Sequence, residues 1–390
     1  MITPRTTSVA LTIGFLSTLF GVGLVQVALE AGRGEWPQAL ELFRQKPTVA
    51  HLRAYERSLE DASWLVKQLR PWMQYAQFVL LKDAGEKALE GRDGWLFYKP
   101  GVQYLTGRAR PSPAATNDPM LAICAFRDDL AARGIHLVVV PAPNKESIYP
   151  ERLSSRARGL RTAVCPETRD LLESLRVAGV ETADLFRVFE EAKQQRSAPA
   201  DQPLYLAQDS HWSPAGVAVA ARAVARRILE RGWIEPGQVE YAGKPAPVVR
   251  LGDVLRMLQV PQIERSRNPE SVASEQVVRR DNGQPYRDDA NAEVLVLGDS
   301  FLRIYEQDDP GAAGFIAHLA QELRQPVTSL VSDGGASTLV RQELFRRPAL
   351  LRNKTVVIWE FVERDLRFGA EGWQRVPLPP GWSGRQTQNE

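Results

Sequence analysis

A serine, a histidine and an aspartate in this chain are spaced so that each can serve the next. Asp209 and His211 lie two residues apart in Asp209-Ser210-His211-Trp212, and Ser300 follows an apolar run in Gly298-Asp299-Ser300-Phe301. A serine hydroxyl does not ionise near neutral pH, so as a nucleophile it needs a neighbouring base. An imidazole can take that proton, and a carboxylate on its other nitrogen fixes the tautomer and stabilises the imidazolium. In an extended segment residues i and i+2 face the same way, which lets Asp209 orient His211. Gly298 allows a sharp turn out of a strand that presents the Ser300 hydroxyl, with the Ser300 amide facing a developing oxyanion. Each motif has a plainer alternative. Asp209 or Ser210 can cap a helix with His211 stacked on Trp212, and Asp299 and Ser300 can cap another. Of the four histidines, His136 lies in an apolar strand and His51 and His318 in helices, which leaves His211 as the candidate base. A metal site on Asp209 and His211 lacks partners at His-x-x-x-His or Glu-x-x-His spacing, so neither metal nor cofactor is expected.

The surrounding pattern supplies the elements that must position these groups. A helix over 119–133 ends at Gly134, a helix-terminating residue. The strand 135–140 is apolar on both faces save His136, as suits a parallel strand covered on both sides. Asn144 and Lys145 fall in a loop over 141–149. A helix over 166–177, a strand over 180–185 and a helix over 186–195 follow. Ser213 and Pro214 form a helix start, the one as a cap and the other as a first-turn residue, for a helix running to about 230. A strand over 293–297 precedes Gly298. A helix over 312–323, a strand over 327–331, a helix from Ser337 and a strand over 355–361 complete the order. This alternation predicts an α/β fold, a three-layer α/β/α domain with a mostly parallel sheet. Sites in such sheets lie at the carboxyl ends of the strands, so Asn144, Lys145 and Ser300 should share one edge. Residues 243–290, rich in Pro, Arg and Asp, read as a surface insertion, helical around 254–258 and mobile at 265–290.

Lys+Arg (49) nearly balance Asp+Glu (47), and no dense basic block marks a nucleic-acid footprint. Cys124 and Cys165 are too far apart in sequence for a CxxC motif and either pair or remain thiols. After a short segment, 1–8, carrying Arg5, residues 9–29 are largely apolar. About 20 such residues cross a hydrocarbon core of about 30 Å. Glu30 and Leu29 stand where a cleavage site wants small residues, so an uncleaved anchor is expected. Arg5 and the terminal amine keep the amino end inside, placing the rest beyond the cytoplasm. Residues 30–90 show helical spacing interrupted at Pro47 and Pro71, a stalk or cover. Residues 91–98 read as a glycine-flanked turn into a short aromatic strand. The tail, 368–390, reads as flexible.

Five stretches together resemble the AlgJ/AlgX family of exopolysaccharide O-acetyltransferases, whose catalytic domain is of the SGNH hydrolase type. They are 91–98, Pro143-Asn144-Lys145-Glu146-Ser147-Ile148-Tyr149-Pro150, Asp209-Ser210-His211-Trp212, Gly298-Asp299-Ser300-Phe301 and Val357-Ile358-Trp359-Glu360-Phe361. The resemblance covers about 91–366, and the catalytic domain is expected over 91–367. It implies Ser300 as nucleophile, His211 as general base, Asp209 as the residue orienting it, and an acetyl-serine intermediate. The acetyl donor would be supplied by a multi-pass membrane acyltransferase partner, and the acceptor would be an alginate-like polysaccharide or a second transferase. The absence of a carbohydrate-binding module resembles the membrane-anchored AlgJ branch, which implies a single pass of the inner membrane with the catalytic domain in the periplasm. The asparagine that serves the oxyanion in other SGNH hydrolases has no evident counterpart. Gly334 and Gly335 follow a strand where a donor loop would stand, and Lys145, Tyr305 and Arg364 are further candidates for substrate or oxyanion contacts. The same triad would serve a carbohydrate acetylesterase. A non-catalytic assembly factor would instead hold glycan through Trp95, Trp212 and Trp359.

Overall fold

Five strands form the central sheet: β1 (His136–Ala142), β2 (Glu181–Thr182), β3 (Val294–Gly298), β4 (Thr328–Val331) and β5 (Val356–Val362). The computed structural model describes residues 4–44, 46, 48–107, 117–160, 162–195, 202–368 and 372–378. The strands are ordered β4-β3-β5-β1-β2, and every neighbouring pair is parallel. Six longer helices alternate with them: α1 (Pro119–Ala131), α2 (Pro166–Val177), α3 (Leu185–Gln195), α4 (Pro214–Glu230), α5 (Phe315–Leu323) and α6 (Leu339–Arg346). Side chains alternate across a strand. Val138, Val140, Val296 and Ile358 therefore enter one core with α3, α4 and α5. Leu137, Val139, Leu297 and Trp359 enter the other with α1 and α6. A sheet apolar on both faces needs both covered, and the result is the expected three-layer α/β fold.

The local signals explain most element ends. Ser213 caps α4 by accepting from the Gly216 amide, with Pro214 in the first turn. Gly134 ends the turn after α1 at φ +71°, a conformation that favours glycine. Strand β2 is shorter than expected because Leu185 already opens α3. The stretch read as a loop at 141–149 contains a single helical turn, Lys145–Ile148.

Residues 243–290 depart most from the sequence reading. They form two antiparallel pairs, Tyr241–Pro245 with Glu275–Arg279 and Val248–Arg250 with Glu270–Val272, and a helical turn Asp253–Met257. A Cβ on Gly252 would lie 2.1 Å from the Gln208 carbonyl oxygen. Glycine therefore lets this segment press against the backbone beside Asp209. In the tail, Trp373 and Leu378 are buried in the second core. The Trp373 ring lies 5.6 Å from that of Trp359 and 4.9 Å from that of Phe361. Apolar burial thus holds 372–378 in place; the rest of the expected flexible tail from 369 onward lies outside the described residues.

The chain divides into two units, Met1–Asp83 with Gln259–Ser266, and Ala84–Leu258 with Arg267–Glu390. In the first, Leu11–Gly32 is a helix of 22 residues with mean hydropathy 1.8, long and apolar enough to cross a membrane. Its polar end is satisfied within the unit. Gln26 Nε2 donates to Glu30 Oε1 at 2.6 Å and to the Ala62 carbonyl at 3.1 Å, and Gln26 Oε1 accepts from the Trp64 amide at 2.7 Å. Glu30 Oε2 accepts from the Gln38 amide at 2.8 Å. The helix Trp64–Ala76 runs through Pro71, against the expected interruption. Proline removes one main-chain donor, and the Ser63 cap and the turns on either side carry the helix past it. Pro47 lies outside the described residues.

Candidate active site

The fold brings Asp209, His211 and Ser300 into one hydrogen-bonded row. His211 Nδ1 lies 2.7 Å from Asp209 Oδ1, and His211 Nε2 lies 2.9 Å from Ser300 Oγ. The His211 amide donates to the same Asp209 oxygen at 3.0 Å, which fixes the two-residue spacing as a closed turn. With Nδ1–H donating to the carboxylate, Nε2 is left to accept from the serine hydroxyl. Asp209 and His211 are buried, whereas Ser300 is only half-buried. Trp212 ties the two motifs together, its Nε1 donating to the Phe301 carbonyl at 3.1 Å.

Ser300 stands two residues beyond the end of β3, at the first position of a helical turn, Ser300–Arg303. The opening amides of such a turn have no acceptor within it. Asp299 caps the turn by accepting from the Phe301 amide at 2.8 Å. A Cβ on Gly298 would lie 2.3 Å from Glu360 Oε2 of β5, so glycine permits the close approach of the two strands beneath the serine.

Two residues that sequence reasoning did not single out complete the row. Arg250 Nε donates to Asp209 Oδ2 at 2.8 Å, and the Asp253 amide donates to the same oxygen at 3.2 Å. The Asp253 carboxylate accepts from the Ser210 amide and from Ser210 Oγ, both at 2.6 Å, and stands 3.6 Å from His211 Nδ1. Both residues belong to the segment read as a surface insertion. Only Asp253 carried a signal, as an acid directly ahead of the helical turn anticipated at 254–258.

The electrostatics follow from these contacts. Burial works to raise Asp209, but His211 and Arg250 outweigh it and hold the carboxyl well below the usual range. Burial works to lower His211, but Asp209 and then Asp253 outweigh it and raise the imidazole. Asp253 is raised, first by burial and then by Asp209. Asp209, His211 and Asp253 gather three metal-type donors within 4.8 Å of one another. Arg250 is paired with Asp209, and Ser210 engages both Asp253 oxygens, so these carboxylates already have partners within the protein.

The remaining sequence candidates separate. Lys145 is fully buried; its Nζ donates to the carbonyls of Leu206, Ala207 and Asp209 at 3.0, 3.1 and 2.7 Å. It also lies over the rings of Trp95 and Phe97. All three ammonium protons are used, so Lys145 pins the segment leading into Asp209 instead of meeting substrate. Burial lowers it to about 8 against the pull of Asp209 and Asp253. Tyr305 is buried under Arg250, and its hydroxyl reaches the Trp212 carbonyl at 3.5 Å, which removes it from substrate contact. The Gly335 amide donates to the Ser332 carbonyl at 3.0 Å inside its own turn, and Asp333 is held by Arg303 at 2.9 Å. Gly335 is therefore not a free oxyanion donor, and Gly334 occupies the left-handed corner of that turn at φ +66°. Arg364 follows β5 and lies over the ring of Phe301. Trp95, Trp212 and Trp359 are buried, so they offer no glycan-stacking surface. Among the other histidines, His136 is exposed and stacks on Trp233 at 4.3 Å, and His318 is buried in α5. Cys124 and Cys165 are free thiols.

This arrangement can activate a hydroxyl for attack on a carbonyl carbon. Residues 88–363 match the family model described as the SGNH hydrolase-like domain of the acetyltransferase AlgX. The protein named probable alginate O-acetylase AlgJ of Pseudomonas syringae pv. tomato is 26% identical over 307 residues, covering 74% of this chain and 71% of its own. The alginate biosynthesis protein AlgX of Pseudomonas aeruginosa is 24% identical over 389 residues, covering 94% and 71%. The solved O-acetyltransferase domain of Pseudomonas putida AlgJ shares the fold with a TM-score of 0.56 at 22% identity, over 72% of this chain and 91% of that one.

Proposed function

The chain belongs to the SGNH hydrolase-like acetyltransferase family of AlgX and is an O-acyltransferase, and from that premise we propose how it works. Ser300 attacks an acetyl carbonyl while His211 Nε2 takes the hydroxyl proton, and Asp209 stabilises the imidazolium. The Ser300 amide donates to the oxyanion. Collapse expels the donor's leaving oxygen, which receives the proton from His211, and acetyl-Ser300 remains. A sugar hydroxyl then gives its proton to His211 and attacks the acetyl-serine, regenerating the Ser300 hydroxyl. The observation that carries this reading is the unbroken row Asp209–His211–Ser300, with both hydrogen bonds at or below 2.9 Å.

The acceptor is an alginate-like polysaccharide, supported by what the relatives are named for. The acetyl group reaches Ser300 from a multi-pass membrane acyltransferase. Residues 9–29 anchor the chain in the inner membrane, 30–90 form a helical stalk or cover, and the catalytic domain over 91–367 works on the periplasmic side. The apolar helix Leu11–Gly32 behind Arg5 supports that orientation. Replacing Ser300 by alanine tests the whole reading: cleavage of a chromogenic acetyl ester and acetylation of the polymer should both cease. Retention of either activity would overturn it. A strain lacking the protein should make polymer with less acetyl, whereas a rise in acetyl would mark an esterase.

A further inference from the structure

One cation beside Ser300 is left uncommitted. Arg364 is half-buried two residues beyond β5. Its guanidinium carbon lies 4.9 Å from the Tyr98 ring centroid and 5.9 Å from that of Phe301, the residue after Ser300. The Phe301 ring in turn lies 4.9 Å from that of His211. The other arginines near the site are spoken for. Arg250 binds Asp209 and Asp308, Arg303 binds Asp308 and Asp333, and Arg367 binds Glu167. The Arg364 guanidinium has no hydrogen bond or ion pair among the described residues.

Nearby carboxyls do not discharge it. Glu146, Asp299 and Glu360 all feel the Arg364 charge, yet burial, the largest effect on each, pushes them toward the neutral form. Aromatic neighbours take a guanidinium without using its N–H groups, which keep the fork geometry that matches a planar carboxylate. Burial of part of the side chain and two ring contacts hold that fork in place, so little freedom remains to be lost on binding.

We propose that Arg364 is the subsite for the ring carboxylate of a uronic-acid acceptor, holding the sugar so that its hydroxyl meets acetyl-Ser300. The proposal deepens the reading given above and rests on its acidic polysaccharide acceptor. It makes Arg364 a specificity-determining residue that itself neither takes nor gives a proton.

The test compares two acceptors with the full-length protein in detergent and a soluble acetyl ester as donor. One acceptor is an oligouronate with free carboxylates, the other the same oligomer with its carboxyls methyl-esterified. The wild type should show a KM about tenfold or more lower for the free acid, the worth of one charge-assisted pair. Arg364→Gln should bring the two KM values together by weakening the free acid alone. Arg364→Lys, which keeps charge without the fork, should fall between, and it serves if the glutamine variant does not fold. Equal KM values in the wild type, or an undiminished preference in both variants, would overturn the proposal. Transfer to neither oligomer would instead defeat the polyuronate reading itself, and this inference with it.

Discussion

Arg250 Nε donates to one oxygen of Asp209 at 2.8 Å while His211 Nδ1 faces the other at 2.7 Å. One buried carboxylate is thus shared between the imidazole and a fixed guanidinium from a different part of the chain. Arg250 can neither accept nor release a proton at ordinary pH, so its role is to position Asp209 and keep it ionised in the interior.

Replacing Arg250 by methionine removes that partner and leaves the carboxylate buried without it. Breaking a buried pair in this way costs about 3–5 kcal/mol. The expected outcome is a lower unfolding midpoint together with a fall in kcat/KM for ester cleavage. Unfolding curves and steady-state rates check it, and an unchanged variant would show that the contact does not matter.

The pH profile follows from His211. A base must be neutral to act, so kcat/KM should fall as pH drops through the raised pKa of this imidazole. Asp253 stands 3.6 Å from Nδ1 and favours the imidazolium. Removing its charge with Asp253→Asn makes protonation harder, so the acidic limb should move to lower pH. A profile that stays in place or moves upward would contradict the sign.

Lys145 holds three carbonyls of the segment 206–209 with its single ammonium. Lys145→Met keeps most of the stem and strands those acceptors. Each buried polar group left unpaired costs about 1–3 kcal/mol. The variant should lose stability, and in whatever fraction remains folded kcat should fall more than KM rises, because Asp209 is misplaced while the substrate surface is intact. A KM effect alone would point to direct substrate contact.

Beneath the site, Glu146 is fully buried and raised to about 7, by burial first, against the pull of Arg364 and Lys145. A carboxyl raised on folding binds more protons in the native state, so stability should fall as pH rises from the unfolded value near 4.5 to about 7. The full loss from this group is up to about 3 kcal/mol. Glu146→Gln carries no charge and should flatten that slope in urea titrations at successive pH values. A slope as steep as the wild type's would exclude Glu146 as its source.

The parts that could be read from sequence are those governed by neighbours along the chain. Helix α4 begins where Ser213 and Pro214 announce it, and the apolar runs of β1, β3 and β5 mark strands covered on both faces. The Asp209–His211 contact is likewise local, since two residues and one turn settle it. Arg250 and Asp253 were not legible, because their meaning depends on a segment rich in Pro, Arg and Asp folding back across Gly252 onto Gln208. Composition made that segment look solvated. The role of Lys145 was hidden for a related reason. A lysine is ordinarily exposed, and only the convergence of three carbonyls and two aromatic rings explains its burial. Tyr305 and the buried tryptophans looked like contact residues for the same lack of three-dimensional context.

The central claim is that Ser300 carries the acetyl group, and trapping that group tests it most directly. His211→Ala should slow deacylation as well as attack, so the wild type and this variant should be mixed with a reactive acetyl ester, quenched in acid and digested. Mass spectrometry of the peptides then locates the adduct. The predicted result is one acetyl on the peptide containing Ser300, absent from Ser300→Ala. An acetyl group on another residue that turns over at the rate of the reaction, or turnover by Ser300→Ala, would contradict the account.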